Sequence, residues 1–524
     1  MDQTIEVGMS RLVPVGRAAV VALGAALALS SCITLPFGSD PAPTSTRPSS
    51  ALPPPAGQEV LATFYAQRLQ WQSCQGGECA TLRVPIDYAN PSGDTIELAL
   101  LRVRARSSSQ RIGSIVVNPG GPGGSGVDYA KAADFIVGSS VRRRFDIVGF
   151  DPRGVGRSAP IDCIDDGALD HFLGMDPTPD TGAEQQALLT EATALAEGCQ
   201  ERGGALLAHV STVDAARDMD VLRAALGETT LSYLGKSYGT LLGATYAGLF
   251  PRQVGRFVLD GVVPPDLTSA ELSEGQARGF EAATRAFMQD CVDDGDCPFG
   301  STIDEGVTWL QDFLKGLDST PVRVSADGEV TALTEGWGSL GIAYALYDQG
   351  SWATLTKALQ AGERGQGDDL MDLADSYADR ERGGGYTGNI MEVIYAVNCL
   401  DRPDTADPDQ IMANETAFSR KAPTWGRFLA WGSVPCGVWP LEPTGSPHKI
   451  TAEGSPPIVV VGTTRDPATI YEWSVRLRGE LANAVLVTYD GDGHTAYSRS
   501  SSCVDKPIDE FFVTGTPPQD GLRC

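Results

Sequence analysis

The chain has 524 residues, of which 42% are hydrophobic and 20% charged, a balance that is typical of a globular protein and excludes global disorder. Its formal net charge of −27 would repel the phosphates of nucleic acid, so nucleic-acid binding is excluded as a main function. The length allows about three average domains, or one large catalytic domain with an insertion.

Residues 1–31 have the features of a signal peptide. An apolar run at 18–29 follows Arg11 and Arg17, and at about 1.5 Å per residue it is too short to cross a bilayer. It ends in Leu29-Ser30-Ser31-Cys32, which resembles the lipobox of bacterial lipoproteins. We therefore expect an exported protein with lipid on Cys32, located at the cell membrane or cell wall on the extracytoplasmic face. A free cysteine after an ordinary signal is the alternative.

A tether is predicted for residues 32–57, because 33–57 hold seven prolines among Ser, Thr and Ala. The folded part is expected to begin near Gln58. No second long apolar run follows, so we expect membrane contact only through the lipid anchor.

Ten cysteines remain after Cys32, and an even number in an exported chain predicts five disulfides. Connectivity does not follow from sequence, but pairing in chain order is the simplest hypothesis: Cys74–Cys79, Cys163–Cys199, Cys291–Cys297, Cys399–Cys436 and Cys503–Cys524. A metal site is the weaker interpretation, because the first two cysteines lack zinc-ligand spacing and have no histidine nearby. We expect no metal and no cofactor.

Strand-like and helical patterns alternate after a predicted hairpin within residues 79–106. The strand-like runs are 114–118, 145–150, 230–235, 255–261, 458–462 and 484–491, and helices are predicted at 213–226 and after Ser237. This alternation predicts an α/β fold with a mostly parallel sheet covered by helices. The sheet domain is assigned to 58–264 and 451–524, and residues 265–450 are interpreted as a large, mainly helical cap inserted before the last strands.

The segment Gly235-Lys236-Ser237-Tyr238-Gly239 follows a predicted strand and opens a predicted helix. This is the context of a G-x-S-x-G nucleophile elbow, in which the flanking glycines allow a sharp turn. The alternative is an ordinary glycine-containing strand-to-helix turn without a catalytic role. We predict Ser237 as the nucleophile of an α/β-hydrolase fold.

A serine nucleophile needs a histidine base and an orienting carboxylate, in the chain order serine, acid, histidine. His171 and His209 precede Ser237 and His448 follows no strand, whereas His494 follows the strand at 484–491. Asp466 lies just beyond the strand at 458–462 and is predicted as the acid. Its rival, Asp260, ends the strand before the cap, and Asp492 is interpreted as a turn residue.

The stretch Pro119-Gly120-Gly121-Pro122-Gly123-Gly124-Ser125-Gly126 follows another strand. In this fold such a loop supplies one oxyanion donor, and the N–H of Tyr238 supplies the other. The loop also matches G-x-G-x-x-G, with Asp151 ending the next strand as in a dinucleotide site. Two prolines in the loop and an exported location count against a dehydrogenase.

Six ordered motifs carry a family resemblance: VNPGGPGGSG (117–126), FDPRGVGRS (150–158), GKSYGT (235–240), VLDGVVPP (258–265), GTTRDPAT (462–469) and GDGHT (491–495). Together they resemble the exported tripeptidyl aminopeptidase branch of the prolyl-aminopeptidase-like serine peptidases, and Pro119 replaces the histidine of the prolyl branch. The resemblance implies a serine exopeptidase that acts on peptides or proteins with free N-termini. It also implies Gly120 or Gly121 as the oxyanion donor of the glycine loop. It does not specify an oligomeric state.

The cap is the part least similar to that family, although an aminopeptidase needs carboxylates to bind the substrate's ammonium group. Asp401 is the predicted partner, and an ordinary surface aspartate is the alternative. An envelope-anchored esterase or lipase with the same triad is the rival enzyme. A binding lipoprotein with a decayed site is disfavoured, because all three triad members are present.

Overall fold

The computed structural model describes residues 52–524. The predicted signal peptide, Cys32 and most of the predicted tether lie outside the described residues. Between 52 and 524, no helix is both long and apolar enough to cross a membrane.

A ten-stranded sheet forms the centre of the described chain, with the strand order β1-β2-β3-β5-β4-β6-β7-β10-β11-β12. The strands from β5 to β12 along this order are parallel, and β1, β2 and β3 join antiparallel at one edge. Their bounds are β1 Gln72–Cys74, β2 Gly77–Pro85, β3 Thr95–Val103, β4 Gly113–Asn118, β5 Phe145–Phe150, β6 Leu231–Lys236, β7 Val254–Asp260, β10 Ile458–Arg465, β11 Ala484–Asp492 and β12 Leu522–Arg523; a separate pair is β8 Val322–Arg323 and β9 Ala332–Leu333.

Helices cover both faces of this sheet. Those before the cap are α1 Ala62–Tyr65, α2 Gly126–Lys131, α3 Ala133–Ile136, α4 Ser139–Arg144, α5 Asp166–Leu173, α6 Gly182–Gly203, α7 Thr212–Leu226 and α8 Tyr238–Leu249. Between β7 and β10 lie α9 Ser269–Asp293, α10 Ile303–Ser319, α11 Glu335–Leu346, α12 Trp352–Glu363, α13 Asp368–Ala378, α14 Ile390–Asp401, α15 Pro408–Ser419, α16 Gly426–Trp431 and α17 Val434–Gly437. The last two are α18 Tyr471–Glu480 and α19 Ser502–Thr514.

The predicted α/β architecture is confirmed. Strands β4 and β5 are buried along their whole length, as continuous apolar runs in a sheet covered on both faces should be. The expectation that residues 484–491 form the last strand is wrong, because β12 adds a short parallel strand beside β11. The boundaries assigned to the cap stay a prediction, although the chain between β7 and β10 is mainly helical.

Five disulfides join all ten cysteines of the described chain in the predicted sequential order. Cys399–Cys436 connects α14 to α17 within the cap. Cys163–Cys199 fixes α6 to the loop after β5. The pairing hypothesis is therefore confirmed.

Helix α14 of the cap packs against the sheet domain. Val393, Val397 and Leu400 are buried in the same apolar cluster as residues from β6, α7 and α8. At its first residue, Ile390 touches the loop after β4, where a Cβ on Gly123 would lie 3.0 Å from the Ile390 Cα. The cap thus reaches the edge of the sheet where the predicted site residues are found.

Candidate active site

Ser237 lies in the turn between β6 and α8 with φ 55° and ψ −129°, a left-handed conformation that is rare for a residue with a side chain. The turn is tight, because a Cβ on Gly235 would lie 2.3 Å from the carbonyl oxygen of Gly239. The N–H of Ser237 donates to the Asp260 carbonyl at 3.0 Å. A Cβ on Gly239 would likewise lie 2.8 Å from Oδ1 of Asn118, so the geometry explains both flanking glycines, and Ser237 itself is partly exposed.

His494 and Asp466 lie in direct contact beside this turn. The Nδ1 atom of His494 is 2.8 Å and 3.0 Å from the two carboxylate oxygens of Asp466. Three main-chain N–H groups, from Ala468, Thr469 and Thr495, also donate to that carboxylate. The Nε2 atom of His494 is buried and has no hydrogen-bond partner among residues 52–524, so it can accept a proton from a hydroxyl group.

His494 is close to the turn that carries Ser237. A Cβ on Gly261, which follows Asp260, would lie 3.3 Å from Cε1 of His494. Lys236, the neighbour of Ser237, donates to the hydroxyl of Thr495 at 3.3 Å and to the carbonyl of Tyr497 at 2.7 Å. The structure therefore brings the three predicted triad residues to one edge of the sheet.

The rival acid, Asp260, has other partners. Its carboxylate accepts the N–H groups of Ala496 and Tyr497 and lies 3.5 Å from Nζ of Lys236. Burial lowers the pKa of Lys236, and the Asp260 charge opposes that shift. Asp260 thus supports the loop that follows His494, while Asp492 forms an ion pair with Arg465 at 2.7 Å.

The glycine loop after β4 packs directly against the elbow. A Cβ on Gly120 would lie 2.8 Å from the Ser237 Cβ and 3.1 Å from the Tyr238 nitrogen. The N–H of Gly120 donates to the Asn118 side chain at 3.0 Å, whereas the N–H of Gly121 has no partner in the described chain. Tyr238 begins α8, so its N–H has no partner within that helix. Gly121 and Tyr238 are therefore the two N–H groups available to an oxyanion.

The dinucleotide interpretation of the same loop finds no support in these contacts. Asp151, which would have to bind a ribose, is fully buried and accepts from Ser125, Val127 and Arg157. Its carboxylate therefore braces the glycine loop and the loop after β5. Among the described residues, no group of three or more His, Cys, Asp or Glu is arranged to hold a metal ion.

The cap contacts the histidine through Tyr347, a residue that the sequence analysis missed. Its carbonyl accepts the N–H of His494 at 2.8 Å, and its ring meets the imidazole edge-on with centroids 5.1 Å apart. Tyr347 also contacts Phe280 and Tyr377 of the cap. No motif marks Tyr347, because its role depends on how the cap folds onto the sheet.

Beyond these aromatic rings the cap encloses a cavity of about 330 Å³. Phe280 and Tyr377 line its wall on the side of Tyr347, and the polar lining includes Gln276, Asn398, Arg402 and Asp404. Burial raises the pKa of Asp404 to about 6. Asp404 forms no ion pair within residues 52–524, and its carboxylate accepts the Thr405 N–H at 2.9 Å. Asp404, like Tyr347, is not among the residues predicted from the sequence.

Asp401, the predicted ammonium partner, does not line this cavity. Its two carboxylate oxygens accept the main-chain N–H and the hydroxyl of Thr212, at the start of α7. The side chain lies in a smaller pocket beside Arg402 and His448, behind α8. The geometry therefore does not favour Asp401 as the residue that binds a substrate ammonium group.

The sheet order, the serine at a strained turn after β6, and the His–Asp pair after β10 and β11 define the class of this protein. It is an α/β-hydrolase of the serine type. Within residues 52–524 its site also has a glycine loop packed against the elbow, with an unpartnered N–H at Gly121, and a cap that contacts the histidine.

Comparison with known proteins narrows this class. Residues 422–524 match a family described as TAP-like protein. The chain is 36% identical to serine protease Hip1 of Mycobacterium tuberculosis, over 87% of this chain and 91% of that protein. It is 36% identical to carboxylesterase B of the same species, over 90% and 92%. It is 34% identical to the tripeptidyl aminopeptidase of Streptomyces coelicolor, over 89% and 88%. The chain belongs to the tripeptidyl aminopeptidase-like family of α/β-hydrolases.

Proposed function

We propose that the chain is a serine aminopeptidase that releases short peptides, chiefly tripeptides, from peptides or proteins with free N-termini. The observation that carries the proposal is the cavity behind Tyr347, because it contains the carboxylate of Asp404 without a cationic partner in the described chain. A desolvated ammonium group requires such a carboxylate. The relatives named as a serine protease and a tripeptidyl aminopeptidase support the same activity.

The proposed reaction is acyl transfer through Ser237. His494 takes the serine proton as the hydroxyl attacks the scissile carbonyl, and Asp466 stabilises the resulting imidazolium. The N–H groups of Gly121 and Tyr238 bind the oxyanion of the tetrahedral intermediate. His494 then protonates the leaving amine, and water attacks the acyl-enzyme with His494 again as the base.

Asp404 replaces Asp401 in our proposal for the ammonium site. The two residues are three positions apart, but only Asp404 faces the large cavity, and both oxygens of Asp401 are engaged by Thr212. An ammonium group bound at Asp404 would fix the position of the substrate's N-terminus in the cavity, and a substrate with a longer N-terminal extension could not make this contact while its scissile bond lies at Ser237. This arrangement would limit the length of the peptide that is released.

Esterase activity is the second candidate, since the relative named carboxylesterase B is as similar as the named protease. An ester and an amide use the same triad and oxyanion donors, so the site's reactive part does not separate them. Asp404 favours the peptidase, because an acyl chain has no group to pair with a buried carboxylate.

The test compares free and N-acetylated Ala-Ala-Phe p-nitroanilide with the wild type and three variants. We expect the free substrate to be preferred by about 100-fold or more in kcat/KM, because acetylation leaves Asp404 unpaired. Asp404→Asn should lose most of that preference, and Asp409→Asn, at an exposed aspartate nearby, should keep it. Equal cleavage of both substrates would replace the aminopeptidase with an endopeptidase or esterase. Turnover by Ser237→Ala would remove the serine mechanism.

We also propose export and lipid anchoring through Cys32, at the membrane or wall on the extracytoplasmic face. All ten cysteines of residues 52–524 are paired in disulfides, which supports an oxidising compartment. Fractionation of cells tests this: Cys32→Ala should move the protein from the membrane fraction to the soluble one. An unchanged membrane fraction would exclude lipid on Cys32 as the anchor.

A further inference from the structure

Tyr238, the residue after the serine at the elbow, belongs to a chain of hydrogen bonds that ends in the cap. Its hydroxyl lies 2.7 Å from Oγ1 of Thr212. Thr212 in turn donates its hydroxyl and its main-chain N–H to the two carboxylate oxygens of Asp401, the last residue of α14. Three segments that are far apart in sequence therefore meet beside the proposed oxyanion site.

The direction of this chain follows from the chemistry of its members. An ionised carboxylate only accepts hydrogen bonds, so Thr212 uses its single hydroxyl proton on Asp401. Tyr238 must then donate its phenolic proton to Thr212. Burial and the negative charge of Asp401 both raise the pKa of Tyr238, which keeps the phenol in its donating form.

The contacts are shielded from water. Tyr238 is 6% exposed and Thr212 is 3% exposed, so a lost partner could not readily be replaced by solvent. A fully satisfied buried network of this kind holds its members in one arrangement. The network thereby fixes the side chain of Tyr238, the same residue whose main-chain N–H is proposed to bind the oxyanion.

We propose that Asp401 is a positioning residue, which acts through Thr212 to hold Tyr238 and so to direct the Tyr238 N–H at the oxyanion. Asp401 belongs to the cap, so this chain of hydrogen bonds also ties the cap to the nucleophile turn. The proposal rests on the proposed function, because it assumes that Ser237 forms an oxyanion with its substrate. A donor that acts mainly in the transition state affects kcat more than KM.

A matched pair of variants at Thr212 tests the proposal. Thr212→Val keeps the shape and the main-chain N–H but removes the hydroxyl, whereas Thr212→Ser keeps the hydroxyl. We expect Thr212→Val to lower kcat by about 10- to 100-fold, less than the loss of a whole oxyanion donor, with KM within about twofold. The loss should be the same for Ala-Ala-Phe p-nitroanilide and for a p-nitrophenyl ester, and Thr212→Ser should restore kcat. Thermal unfolding of both variants checks that the fold is retained.

Two further single variants, at Tyr238 and Asp401, and one double variant distinguish the positioning role of Asp401 from a role in packing or in substrate binding. Tyr238→Phe should lower kcat like Thr212→Val, and the double variant should lower it no further, because both remove the same chain. Asp401→Asn should lower kcat on the ester while leaving the preference for free over N-acetylated peptide unchanged. A Thr212→Val enzyme with wild-type kcat, or losses that multiply in the double variant, would overturn the proposal.

An Asp401→Asn enzyme that loses only the preference for a free N-terminus would also overturn the proposal and return Asp401 to an ammonium role. Ser237→Ala distinguishes a failure of the proposed function from a failure of this inference. If Ser237→Ala retained turnover, both the proposed function and the positioning role of Asp401 would be wrong. If Ser237→Ala is inactive while Thr212→Val has wild-type kcat, only the positioning role is wrong.

Discussion

Asp260 ends β7 and Asp466 follows the neighbouring parallel strand β10, and their carboxylates have different partners. Asp466 contacts the His494 ring, whereas Asp260 contacts the loop that follows this histidine and the Lys236 ammonium group. A charge that orients the imidazole acts on the reaction, and a charge that holds a loop and a buried lysine acts mainly on folding. The two aspartates should therefore respond differently to the same substitution.

We predict that Asp466→Asn lowers kcat by about 10⁴-fold with little change in stability, because the amide cannot stabilise the imidazolium. Asp260→Asn should instead lower the free energy of unfolding by about 3 kcal/mol, because the Lys236 charge is left buried and unpaired. Steady-state kinetics and urea unfolding of both variants measure this contrast. A larger fall in kcat for Asp260→Asn than for Asp466→Asn would reverse the two assignments.

For individual residues, the sequence predicts the triad that carries out the reaction but not the cap residues that contact the histidine or line the substrate cavity. Ser237, His494 and Asp466 follow strands at spacings that chemistry constrains, so the pattern indicates them without a structure. Asp404 and Tyr347 lie in cap segments with no motif, and their relation to His494 depends on tertiary packing. Asp401, three residues from Asp404, is the ammonium partner predicted from the sequence, but its carboxylate contacts Thr212 of α7.

Among the elements, α14 has two faces with separate roles. Val393, Val397 and Leu400 pack into the apolar cluster of the sheet domain. Met391, Ile394, Tyr395, Asn398 and Arg402 line the cavity. Helix α14 therefore packs against the sheet domain with one face and lines the proposed substrate cavity with the other.

Helix α11 carries a titratable group that makes the stability of the cap depend on pH. Burial raises the pKa of Glu335 to about 8, and the charges of Asp176 and Asp318 act in the same direction. The folded state therefore binds this proton more tightly than the unfolded chain does. Its contribution to stability is complete below pH 4.5, the ordinary value, and is lost as the pH rises toward about 8.

We predict that Glu335→Gln weakens this pH dependence, because glutamine stays neutral and can still accept the Thr178 hydroxyl. The difference in unfolding free energy between variant and wild type should favour the variant increasingly from pH 5 to about 8. Glu329→Gln, at an exposed position of the cap, is the control and should follow the wild type. Parallel stability curves for Glu335→Gln and wild type would contradict the expectation.

The elements that the sequence analysis left out have a common physical cause. Strands β1 and β12 have three and two residues, too few to show a period, and a disulfide lies at each of them. Helices α5 and α6 precede the predicted cap, yet Leu169, Leu173, Leu188 and Ala192 pack with cap residues rather than with the sheet. Long-range contacts of this kind leave little trace in a local pattern.

For the whole molecule, Arg380 joins the cap to the helices that precede it. Its guanidinium is fully buried and pairs with Asp170 of α5 at 2.6 Å, Asp327 at 2.6 Å and Asp375 of α13 at 3.0 Å. Tyr386 adds a hydrogen bond to Asp170. The guanidinium of Arg380 is therefore the shared counter-charge of three carboxylates.

We predict that Arg380→Ala lowers the free energy of unfolding by about 3–5 kcal/mol, because it leaves these carboxylates buried without a counter-charge. Arg382→Ala is the matched control: Arg382 is 51% exposed and, within residues 52–524, forms an ion pair only with Asp372, so its loss should cost less than about 1 kcal/mol. Urea unfolding followed by tryptophan fluorescence measures both. Equal effects of the two substitutions would mean that the buried network contributes no more than a surface ion pair.

The most direct test of the account is product analysis by mass spectrometry on one long peptide, supplied with a free and with an acetylated N-terminus. The account predicts successive loss of three residues from the amino end of the free peptide, little cleavage of the acetylated copy, and no products with Ser237→Ala. Internal cuts that are the same in both peptides, or products that persist with Ser237→Ala, would contradict it.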